Sequence, residues 1–293
     1  MNERQLKVFF EVATRLNMTL AASSLYMSQS AVSQTIKDIE REQNAKLFDR
    51  IGKRLFLTQS GDIFLKYARR ILNLYEECSK SIENINNTKI GTLKLGASTT
   101  IGTFFLTEII GEYSKINSDI EISIAIDNTQ AIANLIHENK IDFAFVEGPI
   151  NSPEIVVKEF CDDELIIIAS PEHELAKKSI VNIQDLENQK FLMREKGSGT
   201  RDVLEKTLIK SGIELKNVME LGNTIAIKRI VETGFGISCL SKIAVKNEVS
   251  QNKIAQIKLD GLNICRKFNI IYHKDKFISN LHNSFIDYCK SYL

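Results

Sequence analysis

The sequence predicts an α+β protein built in three consecutive parts. Apolar residues recur at helical spacing through the first 43 residues, and two short strands around a glycine follow. A long helix comes next, with apolar residues at every third or fourth position. From residue 91 onward, short apolar runs alternate with amphipathic helices, which is typical of an α/β region with parallel strands.

Three short helices are predicted at the N-terminus. The first covers residues 3–16, where the apolar side chains share one face. Thr19 is predicted to cap the second helix, which runs to residue 25. Ser28 is predicted to cap the third helix, which runs to residue 43.

The third helix has two faces of different chemistry. One face is an apolar stripe of Ala31, Val32, Ile36 and Ile39. The opposite face carries amides, hydroxyls and a lysine: Gln29, Ser30, Ser33, Gln34 and Lys37. Glutamine can pair with adenine, serine with several base edges, and lysine with guanine or phosphate, so this face suits the major groove of DNA. A helix-turn-helix that binds DNA is therefore predicted, although an ordinary helical hairpin fits the periodicity equally well.

A basic β-hairpin is predicted within residues 47–58, around Gly52. It carries Arg50, Lys53 and Arg54, which could hold phosphates or enter the minor groove. Residues 1–88 contain 13 lysines and arginines against 10 aspartates and glutamates, whereas the net charge of the whole chain is only +1. The positive charge is local, which indicates contact with a polyanion near the N-terminus.

Thr58 is predicted to cap the long helix, which extends to residue 88. Apolar residues recur along it at alternating steps of four and three: Phe64, Ala68, Ile71, Tyr75, Cys78, Ile82 and Ile85. Such a repeat is typical of a coiled-coil seam, so this helix is predicted to form a homodimer. Packing against its own chain is the alternative. A dimer would present two DNA-reading helices on one face and fit a pseudo-palindromic site in double-stranded DNA.

Eight strands and five helices are predicted in the remaining two hundred residues. The strands are 92–95, 120–126, 143–146, 165–169, 191–194, 218–221, 237–240 and 268–272. The helices are 101–115, 130–138, 200–211, 224–233 and 279–291. Ligands of such folds bind at the carboxyl ends of the strands, beside the N-termini of the helices.

Polar segments at these strand-to-helix junctions predict a small-molecule site. The candidate residues are Ser98, Thr99, Thr100, Asn128, Glu147, Ser198, Gly199, Thr200, Arg201 and Thr224. Hydroxyls, free N–H groups and positive helix ends suit an anion, and Arg201 could add a bidentate contact. Simple helix capping is the alternative for each segment. The carboxylate of Glu147 would oppose an anion, unless it holds the amine of a zwitterion or the proton of an acidic oxyanion.

Several spaced motifs in the first 65 residues resemble the LysR-type transcriptional regulators. They are AASSL at 21–25, SQSAVSQTI at 28–36, LFDR at 47–50 and LTQSG at 57–61. Leu20 and the pair Asn44-Ala45 depart from the family pattern, and both lie outside the polar face of the third helix. The resemblance implies a winged helix-turn-helix DNA-binding domain at 1–60, a linker helix at 61–88 and an effector-binding domain at 89–293.

The resemblance extends less tightly over the C-terminal part and implies two lobes similar to those of periplasmic binding proteins. One lobe would comprise residues 91–162 and 266–293, and the other residues 163–265. The segments around Ser98, Glu147 and Gly197 look like those of members that respond to sulfur metabolites, including sulfite-type anions. The family also implies pairing of dimers into tetramers. The predicted function is a DNA-binding regulator controlled by a small anion such as a sulfur oxyanion, with an amino-acid-like zwitterion as the alternative effector.

Other classes of protein are disfavoured. The four histidines lack metal-binding spacing, and no nucleophile elbow or phosphate loop is present, so no enzyme activity, metal or cofactor is expected. No apolar run could span a membrane and no signal peptide is evident, which disfavours a transport-type solute-binding protein and predicts a cytoplasmic location. The five cysteines lack Cys-x-x-Cys spacing and are expected to be reduced, with a redox sensor as the alternative.

Overall fold

The computed structural model describes residues 1–52, 54–83 and 90–293, and the chain divides into two compact units, Met1–Asn86 and Asn87–Leu293. The side chains of residues 81–83 are also outside the described part. The predicted DNA contact of Lys53 and the predicted seam positions Ile82 and Ile85 therefore lie outside the described residues.

The first unit begins with the three predicted helices. They are α1 (Glu3–Arg15), α2 (Met18–Ser24) and α3 (Gln29–Glu42). Ser28 caps α3 as predicted, its hydroxyl accepting from the N–H of Ala31 at 3.2 Å. The prediction for α2 is wrong, because Asn17 and not Thr19 is its cap. The side-chain oxygen of Asn17 accepts from the N–H groups of Thr19 and Leu20 at 2.9 and 3.1 Å, so the helix begins two residues earlier than a Thr19 cap implies.

The hairpin follows as predicted, and the long helix begins as predicted, whereas its predicted end at residue 88 lies outside the described residues. They are β1 (Phe48–Ile51), antiparallel to β2 (Arg54–Leu57), and α4 (Gln59–Glu83). The hydroxyl of Thr58 caps α4 by accepting from the N–H of Gly61 at 2.9 Å. A Cβ at Gly61 would lie 2.1 Å from the carbonyl oxygen of Leu47, so glycine is required where the helix start packs against the hairpin.

The core of the first unit includes part of the predicted coiled-coil seam. The ring centroid of Phe9 on α1 lies 4.6 Å from that of Phe64, and Ala68 is 1% exposed. For Phe64, Ala68 and Ile71 the seam prediction is wrong, since these residues pack against the core of their own chain. The predicted seam residue Tyr75 is exposed, and so are three apolar residues of α4 outside the predicted seam, Ile63, Tyr67 and Leu74.

The second unit contains all eight predicted strands in one sheet. The strands are β3 (Gly91–Ser98), β4 (Ile120–Asp127), β5 (Phe143–Glu147), β6 (Ile155–Ala169), β7 (Lys190–Arg194), β8 (Asn217–Leu221), β9 (Ile237–Ser241), β10 (Ala255–Ile257) and β11 (Ile264–His273). The order is β4-β3-β5-β11-β6-β9-β7-β8, with β10 paired to β6. Strands β4, β3 and β5 are parallel, as are β9, β7 and β8, whereas β11 and β6 run antiparallel between these groups.

Helices connect the strands, and one more helix follows the last strand. They are α5 (Thr99–Ile101), which continues through a π-helical turn (Gly102–Leu106) into α6 (Thr107–Ile116), then α7 (Thr129–His137), α8 (Gly199–Lys210), α9 (Thr224–Glu232), α10 (Lys242–Ser250) and α11 (Asn280–Lys290). The prediction missed β10, which has 3 residues, and α10, which buries only Ala244 and Val245. It also found only the last third of β6, because the preceding residues are charged and partly exposed.

Separate hydrophobic cores give the second unit two lobes. Of the four hydrophobic clusters among its described residues, one packs beneath β3, β5 and α11 and another beneath β7, β9 and α8. The change from one core to the other falls between Cys161 and Leu165 on β6 and between Ile264 and Phe268 on β11. Both β6 and β11 therefore run through both lobes, and their paired residues Asp163 and Arg266 lie where the strands pass from one lobe to the other.

Candidate functional sites

The polar face of α3 is on the surface of the first unit. Gln29, Ser30, Gln34 and Lys37 are exposed and Ser33 is half-buried. On the opposite side, Val32, Ile36 and Ile39 are at most 3% exposed. The side-chain amide of Gln34 donates to Asp38 at 3.0 Å, which orients it along the helix. The predicted DNA-reading residues are thus presented together, as a groove-reading helix requires.

Glu40 fixes the hairpin relative to α3. Its Oε1 accepts from the N–H groups of Leu47 and Phe48 at 2.9 and 3.3 Å, and its side chain is only 10% exposed. Arg50 and Arg54 are exposed on the two strands of the hairpin so positioned. The sequence analysis did not single out Glu40, because a glutamate on a helix is most often a solvated charge.

In the second unit, Glu147 lies at the centre of a buried polar cluster. Glu147 ends β5 and is 2% exposed, and its Oε2 accepts a hydrogen bond from the hydroxyl of Ser98 at the end of β3. Thr129 donates to its carbonyl oxygen at 2.9 Å. Thr100, in the helical turn after Ser98, is buried, and Thr99 is half-buried. The parallel strands β3 and β5 bring these residues together because their carboxyl ends meet at one edge.

Arg266 supplies the positive charge of this cluster. Its Nε donates to Asp163 Oδ2 at 2.6 Å, and its Nη1 donates to Thr200 Oγ1 at 2.9 Å and lies 3.6 Å from Glu147 Oε1. Its Nη2 is buried with no hydrogen-bond partner among the described residues. The sequence analysis missed Arg266, because it lies within a strand and its partners are 66 and 103 residues away.

The two lobes press together beside Glu147. A Cβ at Gly199 would lie 1.9 Å from the carbonyl oxygen of Glu147, and one at Gly148 would lie 2.7 Å from the Cα of Gly199. The N–H of Gln130 donates across the same junction to the carbonyl of Gly197 at 3.1 Å. The start of α8 from one lobe therefore packs directly on the end of β5 from the other, and only glycine fits there.

Helix capping explains some of the predicted site residues and not others. Asn128 caps α7, its side-chain oxygen accepting from the N–H of Ala131 at 2.9 Å. Ser98 and Ser198 stand at the same position of their helices, but neither side chain makes a capping hydrogen bond. The hydroxyl of Ser98 instead donates to Glu147, and that of Ser198 is buried with no hydrogen-bond partner among the described residues.

Arg201 and Thr224 belong to a neighbouring cluster. Arg201 contacts Glu205 at 2.7 Å and Glu220 at 2.5 Å, and Thr224 accepts from Arg194 at 2.9 Å. Arg194 also forms a two-point ion pair with Glu195 at 2.7 and 2.8 Å. Burial alone would raise the pKa of Glu195, but the hydrogen bonds from Arg194 hold it below its ordinary value. The predicted effector contact of Arg201 stays a prediction that these ion pairs do not support.

The cysteines form no disulfide, and three have thiols that resist ionisation. Burial raises the pKa of Cys161 to about 11 and that of Cys239 and Cys289 to about 12, so these thiols stay protonated near neutral pH. Cys78 and Cys265 are exposed. Within the described ranges, no group of His, Cys, Asp and Glu side chains is arranged to hold a metal ion, and no helix combines the length and apolarity of a membrane span.

Comparison with known proteins agrees with this architecture. Residues 3–62 match the bacterial regulatory helix-turn-helix protein, lysR family, and residues 86–293 match the LysR substrate binding domain. The HTH-type transcriptional regulator YeiE of Escherichia coli (strain K12) is 33% identical over 286 residues, which cover 98% of this chain and 96% of YeiE.

Solved structures show the same fold. The CcmR regulatory domain of Synechocystis PCC6803 in complex with 2-PG is 30% identical, with a TM-score of 0.64, and the match covers 69% of this chain and 97% of that domain. Full-length CbnR complexed with its target DNA is 20% identical, with a TM-score of 0.69, and the match covers 100% of both chains. The two matched family segments span nearly the whole chain, and YeiE is named as a transcriptional regulator. The chain therefore belongs to the LysR family and is a DNA-binding transcriptional regulator with an effector-binding domain.

Proposed function

We propose that this regulator recognises a specific DNA sequence through α3 and is controlled by a small anion, such as a sulfur oxyanion, bound between its two lobes. The observation that carries the effector proposal is the cluster of Ser98, Glu147, Thr200 and Arg266. Both lobes contribute to it, it is buried, and Arg266 and the adjacent Ser198 each keep a polar atom without a partner among the described residues. Buried polar groups are normally satisfied, so these two atoms are available as donors to a bound anion.

For DNA, we propose that the exposed amides and hydroxyls of α3 read base edges while Arg50 and Arg54 hold phosphates. Gln34 is the residue whose amide suits bidentate pairing with adenine. Gln34→Ala is then expected to relax the sequence preference, whereas Arg54→Ala is expected to weaken binding to all duplexes alike. If Gln34→Ala also lowers affinity uniformly, Gln34 contacts only the backbone.

We also propose that α4 joins two copies of the chain, so that a homodimer binds a pseudo-palindromic site, with pairing into a tetramer as the family implies. The exposed apolar residues Ile63, Tyr67 and Leu74 support this, since large apolar side chains on one helix surface favour burial against a partner. A role on chromosomal DNA further implies action in the cytoplasm.

For the effector, we propose that the anion lies among Ser98, Thr100, Ser198 and Thr200, with Arg266 as its cation. This assignment replaces the bidentate role predicted for Arg201, which would have to leave two carboxylates to bind a ligand. The CcmR regulatory domain, a relative in sequence, binds the small molecule 2-PG, which supports effector control of this kind. Because the site joins both lobes, a ligand can shift DNA binding through its different affinity for different lobe arrangements.

A thermal-shift screen of the full-length protein tests the effector proposal. The compounds are sulfite, sulfate, thiosulfate, O-acetylserine, cysteine and simple carboxylates, and each hit is then tested for its effect on DNA affinity. A ligand that binds only the folded state stabilises it by about 2.7 kcal/mol at about 100 times its dissociation constant. Stabilisation by a sulfur oxyanion supports the proposal. Stabilisation by the zwitterions alone indicates instead that the carboxylate of Glu147 binds the amine of the effector. If none of the anions raises the melting temperature, the effector proposal is contradicted.

A further inference from the structure

Together with Asp163, the effector cluster holds two carboxylates and one cation. Glu147 and Asp163 face the single guanidinium of Arg266, which lies 2.6 Å from Asp163 and 3.6 Å from Glu147. Asp163 is therefore the nearer counter-ion of Arg266. Glu147 has the hydroxyl of Ser98 as its hydrogen-bonded partner. A fully deprotonated anion in contact with Glu147 would meet a carboxylate that can only accept hydrogen bonds.

Donors that suit an anion surround this acceptor. The unpartnered atoms are Arg266 Nη2 and Ser198 Oγ, and Arg266 donates to Thr200, which follows Ser198 by two residues. Ser198 precedes the 12-residue helix α8, whose first N–H groups and positive end also favour negative charge. The site thus combines several donors with one buried carboxylate acceptor.

We infer that the site selects oxyanions that still carry a proton: the ligand's O–H donates to Glu147, while Arg266 Nη2 and Ser198 Oγ donate to its charged oxygens. This inference rests on the proposed function and narrows its effector class. Sulfite and phosphate retain a proton on part of their population near neutral pH, whereas sulfate does not. An O–H group turns the contact with Glu147 from a repulsion into a charge-assisted hydrogen bond.

The charged groups around Glu147 come from two strands. Arg266 faces it from β11, and Asp163 of β6 acts through its ion pair with Arg266. From β3 and the start of α7, the contacts with Glu147 are the hydroxyls of Ser98 and Thr129. We therefore expect the pH dependence of binding to follow the titration of the ligand itself.

Isothermal titration calorimetry on the full-length protein tests the inference with sulfite, phosphate and sulfate at constant ionic strength. The wild type is expected to bind sulfite or phosphate about ten- to a hundred-fold more tightly than sulfate, the range for a hydrogen bond to a charged group. Glu147→Gln should bring the dissociation constant of sulfate within about threefold of those of sulfite and phosphate, because an amide can donate to a deprotonated oxygen. Glu248→Gln is the matched control. The carboxylate of Glu248 pairs with buried Lys228 at 2.6 Å, so its replacement should not change the preference for sulfite or phosphate over sulfate.

The outcomes separate the inference from the proposed function. Equal affinity of the wild type for sulfate and sulfite, or an unchanged preference in folded Glu147→Gln, overturns the inference and leaves anion control standing. No binding of any of the three ions to the wild type overturns the proposed anion effector itself. If Glu147→Gln does not fold, binding to the wild type is measured over a pH series instead. Raising the pH until sulfite loses its proton should weaken sulfite binding about tenfold or more and leave sulfate binding unchanged. If the affinities for sulfite and sulfate change with pH in the same way, the inference is overturned.

Discussion

Gly199 lies where the start of α8 meets the end of β5, and Gly199→Ala should force the two lobes apart. The added Cβ would lie 1.9 Å from the carbonyl oxygen of Glu147, 2.6 Å from its carbonyl carbon and 2.9 Å from the hydroxyl of Thr129. Two of these atoms are backbone and cannot rotate away. The segments must separate by about 1 Å before the shortest contact reaches 3.0 Å, below which real Cβ contacts essentially do not occur.

We expect this separation to cost about 1–3 kcal/mol of stability, the usual range for overpacking a well-packed site. It should also weaken the hydrogen bond from Thr129 to Glu147 and disturb the cluster around Arg266, so binding of a sulfite probe should fall. Thermal unfolding measures the loss of stability. Hydrogen–deuterium exchange locates it, since faster exchange is expected in β5 and at the start of α8 and not in the first unit.

Gly111→Ala is the control for the same chemical change. Gly111 lies within α6, and its added Cβ would meet no atom within 4 Å, so the replacement should be neutral or stabilising by up to about 1 kcal/mol. If Gly199→Ala matches Gly111→Ala in both stability and ligand binding, the close approach of the lobes does not exist in solution and the reasoning is refuted.

Four further outcomes are expected. Glu40→Ala should lower the stability of the first unit by about 1–3 kcal/mol because two backbone N–H groups lose their acceptor, and an unchanged unfolding free energy in urea would count against this role. Asn17→Ala should cost about 1 kcal/mol and Thr19→Ala almost nothing, a ranking that the reverse result would overturn. Burial favours the neutral form of Asp142, but His282 and Lys276 outweigh it and lower its pKa. The wild type should therefore lose stability as pH falls below about 4, and Asp142→Asn should flatten that dependence in acid unfolding curves. The raised pKa of Cys239 predicts slow reaction with a thiol reagent at neutral pH, and rapid labelling of that residue in mass spectrometry would contradict its burial.

The sequence by itself determined the local elements and the family. The cap at Ser28, the apolar stripe of α3 and the cap at Thr58 depend on residues a few positions apart, and such short-range patterns can be read without coordinates. The same holds for the strand-to-helix junctions that contain Ser98 and Ser198. The motifs of the first 65 residues were enough to predict the LysR family, which the comparisons confirm.

Only the tertiary structure decided which polar residues meet. The role of Arg266 depends on Asp163 and Thr200, which are 103 and 66 residues away, and no local pattern encodes those distances. The tertiary packing also turned Arg201 toward two carboxylates, buried Ala68 and packed Phe64 against the core of its own unit. Periodicity shows that one face of an element is apolar. It does not show which surface covers that face or which charge pairs with a buried group, because burial and ion pairing are set by the whole fold.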